Sequence, residues 1–202
     1  VAHQGGFSRD VDPFGSEYLC AELNLACPPN QETIVTYMLS QPLDFTPGDP
    51  GEVDSYSNFG YMVLGMVIER ASGMSYVDYA RKAVLNPIGV KNINFSAAHT
   101  LLTDRDPREP YYISTLQSPS VYTIGKETAF ADEGFIAENW LAVGACLTTA
   151  QALAQFASQY GLPYGERLKG PPQKEAAHWG GMDGISSIVR QLPSGKSYAI
   201  FL

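Results

Sequence analysis

Tyr56 and Asn58 stand two residues apart in Asp54-Ser55-Tyr56-Ser57-Asn58, directly before a dense apolar run from Phe59 to Ala71. On a loop or an extended turn, side chains at that spacing can face one cleft. A tyrosine at the start of a rigid, buried helix is held still. Beside cations its pKa falls, and the phenolate can then act as a general base. Asn58 offers one carbonyl acceptor and two N–H donors, which suits binding an amide or orienting a lysine. The same pair also suits a turn and a helix cap with the tyrosine packed on the core, and the residues alone favour that simpler reading. A second group, His178-Trp179-Gly180-Gly181, lies near the C-terminal end. A histidine there can donate to a carboxylate. Taken alone, it reads more simply as a packed strand end.

The elements that must position these residues follow from the pattern. Phe59, Met62, Val63, Met66 and Val67 form the stripe of a helix, and Leu64 with Ile68 covers a second face. Such a helix is expected to be buried on most sides. Gly60 and Gly65 each weaken it by about 1 kcal/mol relative to alanine, so they are read as points of close approach. Gly73 suits the left-handed position that ends a helix. Ser75 with Asp78 predicts a capping box for a following helix over Tyr76 to Leu85. Upstream, Asn30 can cap a helix striped by Ile34, Val35, Met38 and Leu39, which Gln41-Pro42 ends. Thr148 or Thr149 caps another, whose Leu153, Phe156, Ala157 and Tyr160 face the core. Two apolar runs, Ile185 to Leu192 and Ser197 to Leu202, flank Pro193-Ser194-Gly195 and read as a β-hairpin. Residues 91–140 are rich in proline and polar clusters and carry Phe95, Tyr111, Tyr112, Tyr122, Phe130 and Phe135. They read as long loops that either line a cleft or form an aromatic-stapled surface excursion.

Composition narrows the classes. At 202 residues the chain reads as one domain, residues 1–202, with a helical and loop part over 1–175 and sheet strands over 176–202. A formal charge of −8 argues against nucleic acid and anionic membranes as partners. No run of apolar residues is long enough for a transmembrane helix. Cys20, Cys27 and Cys146 form no Cys-x-x-Cys pair, and no His-Glu-x-x-His occurs, so no metal site is expected. No cofactor motif is present either: Gly195-Lys196-Ser197 has Arg190 where a P-loop needs glycine. Cys20 and Cys27 allow a small-loop disulfide or free thiols.

The run from Tyr56 to Gly73 fits Tyr-Ser-Asn-x-Gly-Tyr-x-x-Leu-Gly-x-x-Ile-Glu-x-x-Ser-Gly. It resembles the second motif of the serine β-lactamase and penicillin-binding-protein superfamily, in the branch of class C β-lactamases, related esterases, D-aminopeptidases and DD-peptidases. Phe45-Thr46-Pro47-Gly48 is similar to the family's Phe-x-Pro-Gly turn, and Ser75 through Val90 to its following helix. Ala142 to Phe156 resembles its Ala-Gly-Gly-Leu-x-Ser-Thr-Ala segment, and His178-Trp179-Gly180 its third motif, Lys-Thr-Gly or His-x-Gly. The resemblance implies an α/β (α+β) fold of the β-lactamase/transpeptidase type, a helical subdomain plus part of an antiparallel sheet. It implies a small-molecule or peptide acyl substrate and a periplasmic or secreted location. Tyr56, Asn58 and His178 become the expected catalytic residues, and Trp179, Gly180 and Gly181 the substrate-binding strand edge. Trp179 replaces the hydroxyl residue that grips carboxylates in lactamases, which favours an apolar acyl or ester substrate.

One motif is missing. The family's Ser-x-x-Lys supplies the acylated serine and a lysine that shares its proton, and no serine of these 202 residues has a lysine three places on. Val1 to Phe7 resembles a segment that follows that motif in the family, and Lys196 to Leu202 reads as a strand that stops while still apolar. Both ends therefore read as cut, with Ser-x-x-Lys expected in a missing segment or a second chain. The expected function is a serine hydrolase acting on an ester, amide or lactam through an acyl-enzyme. The alternative is a non-catalytic, penicillin-binding-like pseudoenzyme or subunit.

Overall fold

The computed structural model describes residues 3–9, 24, 29–51, 54–95, 106–110, 112–162, 170–172 and 174–202. Cys20, Cys27 and Tyr111 lie outside the described residues, and Cys146 forms no disulfide.

Side-chain caps start the helices where the sequence predicts them. Asn30 Oδ1 accepts from the Thr33 N–H at 2.9 Å and begins α1, Gln31–Ser40. Helix α2 runs Asn58–Ser72 and ends at Gly73, which takes the left-handed conformation at φ 68°. Ser75 Oγ accepts from the Asp78 N–H, the N-cap half of the expected capping box, while the Asp78 carboxylate accepts from the Ser75 hydroxyl rather than closing the box on the Ser75 N–H. The helix it starts opens as α3, Tyr76–Tyr79, and continues as a π-helix over Ala80–Leu85, so the predicted span is met with a wider last part. Thr149, rather than Thr148, caps α5, Ala150–Gln159. Between them the described part of the 91–140 stretch is less irregular than expected. It contains β1, Ile93–Asn94; β2, Gln117–Pro119; β3, Glu127–Ala129; and the short helix α4, Phe130–Glu133. β1 pairs with β4, Leu147–Thr148, and β2 with β3.

α1 and α2 pack through Ile34, Met38, Phe59 and Met62, with Phe7 and Val143 against them. The expectation that α2 is buried on most sides is too strong. Phe59, Met62 and Gly65 are its buried residues, and Val67 is 53% exposed. Leu39 on α1 likewise turns outward. The close approach expected at glycine occurs at Gly65, where an added Cβ would lie 2.5 Å from Ala142 Cβ. Neither atom can rotate away, so Gly65→Ala forces the helix and the 140–145 segment apart. We expect it to destabilise the protein by about 1–3 kcal/mol despite alanine's higher helix propensity. At Gly60 the same atom meets nothing nearer than 3.9 Å, and Gly60→Ala should stabilise by up to about 1 kcal/mol. Urea unfolding of the two variants checks the contrast.

The C-terminal part is an antiparallel sheet of order β5-β6-β7: β5, Ala176–Met182; β6, Ile185–Gln191; β7, Ser197–Phe201. The predicted hairpin is its β6–β7 half. α5 covers one face. Buried Gln191 reaches across from β6, donating from Nε2 to the carbonyls of Ala157 and Tyr160 and accepting from the Leu162 N–H at 2.9 Å. The 140–145 segment joins the two parts: Val143 packs on the α1–α2 core, and Ala145 sits with Phe135 and Ala137 in a cluster that receives Met182 of β5. No described helix is long and apolar enough to cross a membrane.

Candidate active site

The Tyr-Ser-Asn loop is built by the N-terminus of α2. Ser57 is extended, at φ −148° and ψ 122°, and its Oγ accepts from the Gly60 N–H at 3.3 Å. Ser57 is therefore the cap, and it is buried. Tyr56 and Asn58, on either side of it, are half-buried. Asp54 Oδ1 accepts from the Tyr56 N–H at 3.1 Å, which pins the turn before the helix. The capping role that the residues alone suggested for Tyr56 and Asn58 belongs to the serine between them.

A second strand of chain passes over this loop. Residues 3–9 are fixed on the turn at 44–48: the Gly48 N–H donates to the Gln4 carbonyl at 2.9 Å, the Asp44 N–H to the Gly6 carbonyl at 2.8 Å, and the Ser8 N–H to the Asp44 carboxylate at 2.8 Å. Phe7 meets Phe59 edge-on, with ring centroids 5.3 Å apart. So anchored, the segment sets the His3 ring 4.3 Å from the Tyr56 ring and the Arg9 guanidinium 4.2 Å from the same ring's centroid. Tyr61, one turn into α2, lies 4.7 Å from His3. Burial, and then the neighbouring Tyr56, push the Tyr61 phenol above its ordinary value. Tyr61 is thereby kept protonated, a donor rather than a base. Nothing local in the sequence singles out Arg9 or Tyr61. His3 meets Ser57 across 54 positions, a separation that no periodicity reports.

The third-motif residues all lie on β5, but they do not share one wall. Register pairs His178 with Val189 and Trp179 with Ile188. Side chains alternate along a strand. His178 thus stands on the face of Val189 and Gln191 and Trp179 on the opposite one; both are exposed, Trp179 to 63%, because α5 packs chiefly on β6 and β7. The main chain alternates too. Ser186 exchanges both hydrogen bonds with Leu202, so the odd-numbered residues of β6 turn toward β5. Gly180, paired with Ser187, accordingly directs its N–H and C=O into the sheet, and its carbonyl also accepts from Ser187 Oγ at 3.2 Å. Trp179 and Gly181 direct theirs outward, because β5 is an edge strand among the described residues. A free edge with N–H groups at alternate residues can donate to a carbonyl oxygen or pair with an extended acyl chain.

Comparison with known proteins bears on the family and the fold. A family model described as Beta-lactamase matches residues 2–184. Over 42 residues the chain is 45% identical to penicillin-binding protein 4* of Bacillus subtilis (strain 168), a match covering 21% of this chain and 9% of that protein. Among solved structures it is similar to D-amino acid amidase from Ochrobactrum anthropi SV3, with TM-score 0.63 and 16% identity over 99% of this chain and 62% of that one. It is also similar to a D-stereospecific amidohydrolase from Streptomyces sp., with TM-score 0.63 and 19% identity over 99% of this chain and 64% of that one. The chain thus spans less than two thirds of these solved structures. At these identities they establish the fold: mixed helices and antiparallel sheet of the β-lactamase/transpeptidase type, as the motifs implied.

Proposed function

The chain belongs to the β-lactamase family, and on that premise we propose that the protein containing it is a serine hydrolase that cleaves an ester, amide or lactam through an acyl-enzyme. The observation that carries this reading is the seating of Tyr56. Its ring is fixed at the N-terminus of α2, against a histidine and an arginine, in a loop that also presents Asn58. A phenol held in one place at the start of a helix is suited by position to take and return a proton.

The serine to be deprotonated, and the lysine that shares its proton, come from a Ser-x-x-Lys motif outside these 202 residues. Asn58 orients that lysine and the substrate amide. The free edge of β5 forms the opposite side, where the outward N–H of Gly181 is the better candidate for the strand's oxyanion donor than that of Gly180. The Trp179 carbonyl, outward on the same edge, is free to accept from a substrate N–H. The exposed His178 contributes from one face of this strand, and the Trp179 side chain from the other.

The absence of Ser-x-x-Lys from the chain favours one competing reading, a pseudoenzyme or subunit that binds acyl compounds without turnover. Intact mass of the natural protein, with and without a fluorophosphonate or a fluorescent penicillin, separates the two. One adduct per protein, on a serine followed three places on by lysine, is expected. A protein that takes no adduct from either probe returns the function to binding.

A further inference from the structure

His3 does more than fill space beside the loop. The buried Ser57 N–H donates to His3 Nδ1 at 3.1 Å, and the Ser57 carbonyl lies 3.2 Å from the same nitrogen. With Nδ1 unprotonated the ring accepts from the N–H; with Nδ1 protonated it donates to the carbonyl. Either form ties the imidazole to the residue between Tyr56 and Asn58. The same ring stacks on Tyr56 with 27° between planes and also meets Tyr61. Six residues on, Arg9 adds its guanidinium to the Tyr56 ring. The backbone of His3 is itself unusual, at φ 51°, a region that residues with a Cβ seldom occupy. The hydrogen bonds of Gln4, Gly6 and Ser8 to the 44–48 turn hold it there. An uncommon backbone, fixed by its neighbours so that one ring meets a candidate base and its peptide, is an outlier of the kind found at functional sites.

We infer that His3 and Arg9 are positioning residues for Tyr56: they set the direction of its hydroxyl without touching the substrate. The kinetic consequence rests on the hydrolase reading, whereas the structural one does not. The test uses the complete natural protein as wild type, His3→Asn and Arg9→Gln, with ring-¹³C-labelled tyrosine and a p-nitrophenyl ester as substrate. Asparagine tolerates the left-handed backbone, and Arg9 is exposed. In both, the Tyr56 ring resonances should move while the melting temperature holds. The rate constant kcat should fall roughly 10- to 100-fold with KM within about a factor of two, because a misplaced base slows chemistry without weakening binding. Unmoved Tyr56 resonances in both variants would overturn the inference, and so would a displaced Tyr56 with unchanged kcat. Should His3→Asn melt early, Arg9→Gln decides alone. A wild type that neither turns over the ester nor takes a probe sinks the hydrolase reading instead, and the resonances then decide the positioning by themselves.

Discussion

Tyr56→Phe should lower kcat/KM of the complete protein toward an ester by about 10²–10⁴-fold, the range typical of a lost general base. That loss corresponds to about 3–5 kcal/mol of transition-state stabilisation. The variant is informative because it removes one oxygen and little else. A phenylalanine keeps the ring that stacks on His3 and meets Arg9, and the cap of α2 is made by Ser57, not by Tyr56. The melting temperature should therefore stay near wild type while turnover collapses. Pre-steady-state kinetics should show the loss in acylation and deacylation alike, since one phenol serves both proton transfers. Turnover within a few-fold of wild type would show that another group moves the proton. Tyr61 could not easily replace it, because burial and Tyr56 raise its pKa.

How much of this was legible beforehand depends on distance along the chain. Caps and stops are local chemistry, so Asn30, Ser75, Thr149 and Gly73 were readable from a few neighbouring residues. The Tyr-Ser-Asn loop was readable for the same reason, and the motif gave it a family and a fold. Helix periodicity was less exact. It places Val67 and Leu39 at stripe positions, yet each sits at the margin of its stripe and is exposed among the described residues. Strand alternation predicts that His178 and Trp179 part company, but not which face α5 will cover. That is decided by Gln191, thirteen residues on from His178, bonding to the end of α5. Least legible was the union of His3 with Ser57. It depends on the 44–48 turn holding the N-terminal segment, and nothing in the local pattern of either partner announces the other.

The buried pair of Glu133 and Lys126 was equally invisible to pattern, and it carries the largest expected effect on stability. Glu133 is 0% exposed at the end of α4. Lys126 Nζ donates to its Oε1 at 2.6 Å, and Ser120 Oγ donates to its Oε2 at 2.6 Å. The Ser120 oxygen accepts in turn from the N–H groups of Tyr122 and Thr123, and the Val121 N–H donates to the Glu133 carbonyl. One carboxylate thus fastens the 120–126 turn onto α4, beside the aromatic cluster that receives Met182 of β5. Lys126→Met takes a cation from that buried carboxylate, so we expect a loss of about 3 kcal/mol, toward the lower end for a broken buried pair because the lysine is partly exposed. Replacing both partners, as Lys126→Met with Glu133→Leu, also removes the buried carboxylate and should recover part of that loss, while Ser120 forfeits its acceptor. Urea unfolding of the single and double variants closes the cycle. The coupling should exceed about 1 kcal/mol; independent, additive effects would mean that the turn is held by its backbone bonds and that the ion pair is incidental.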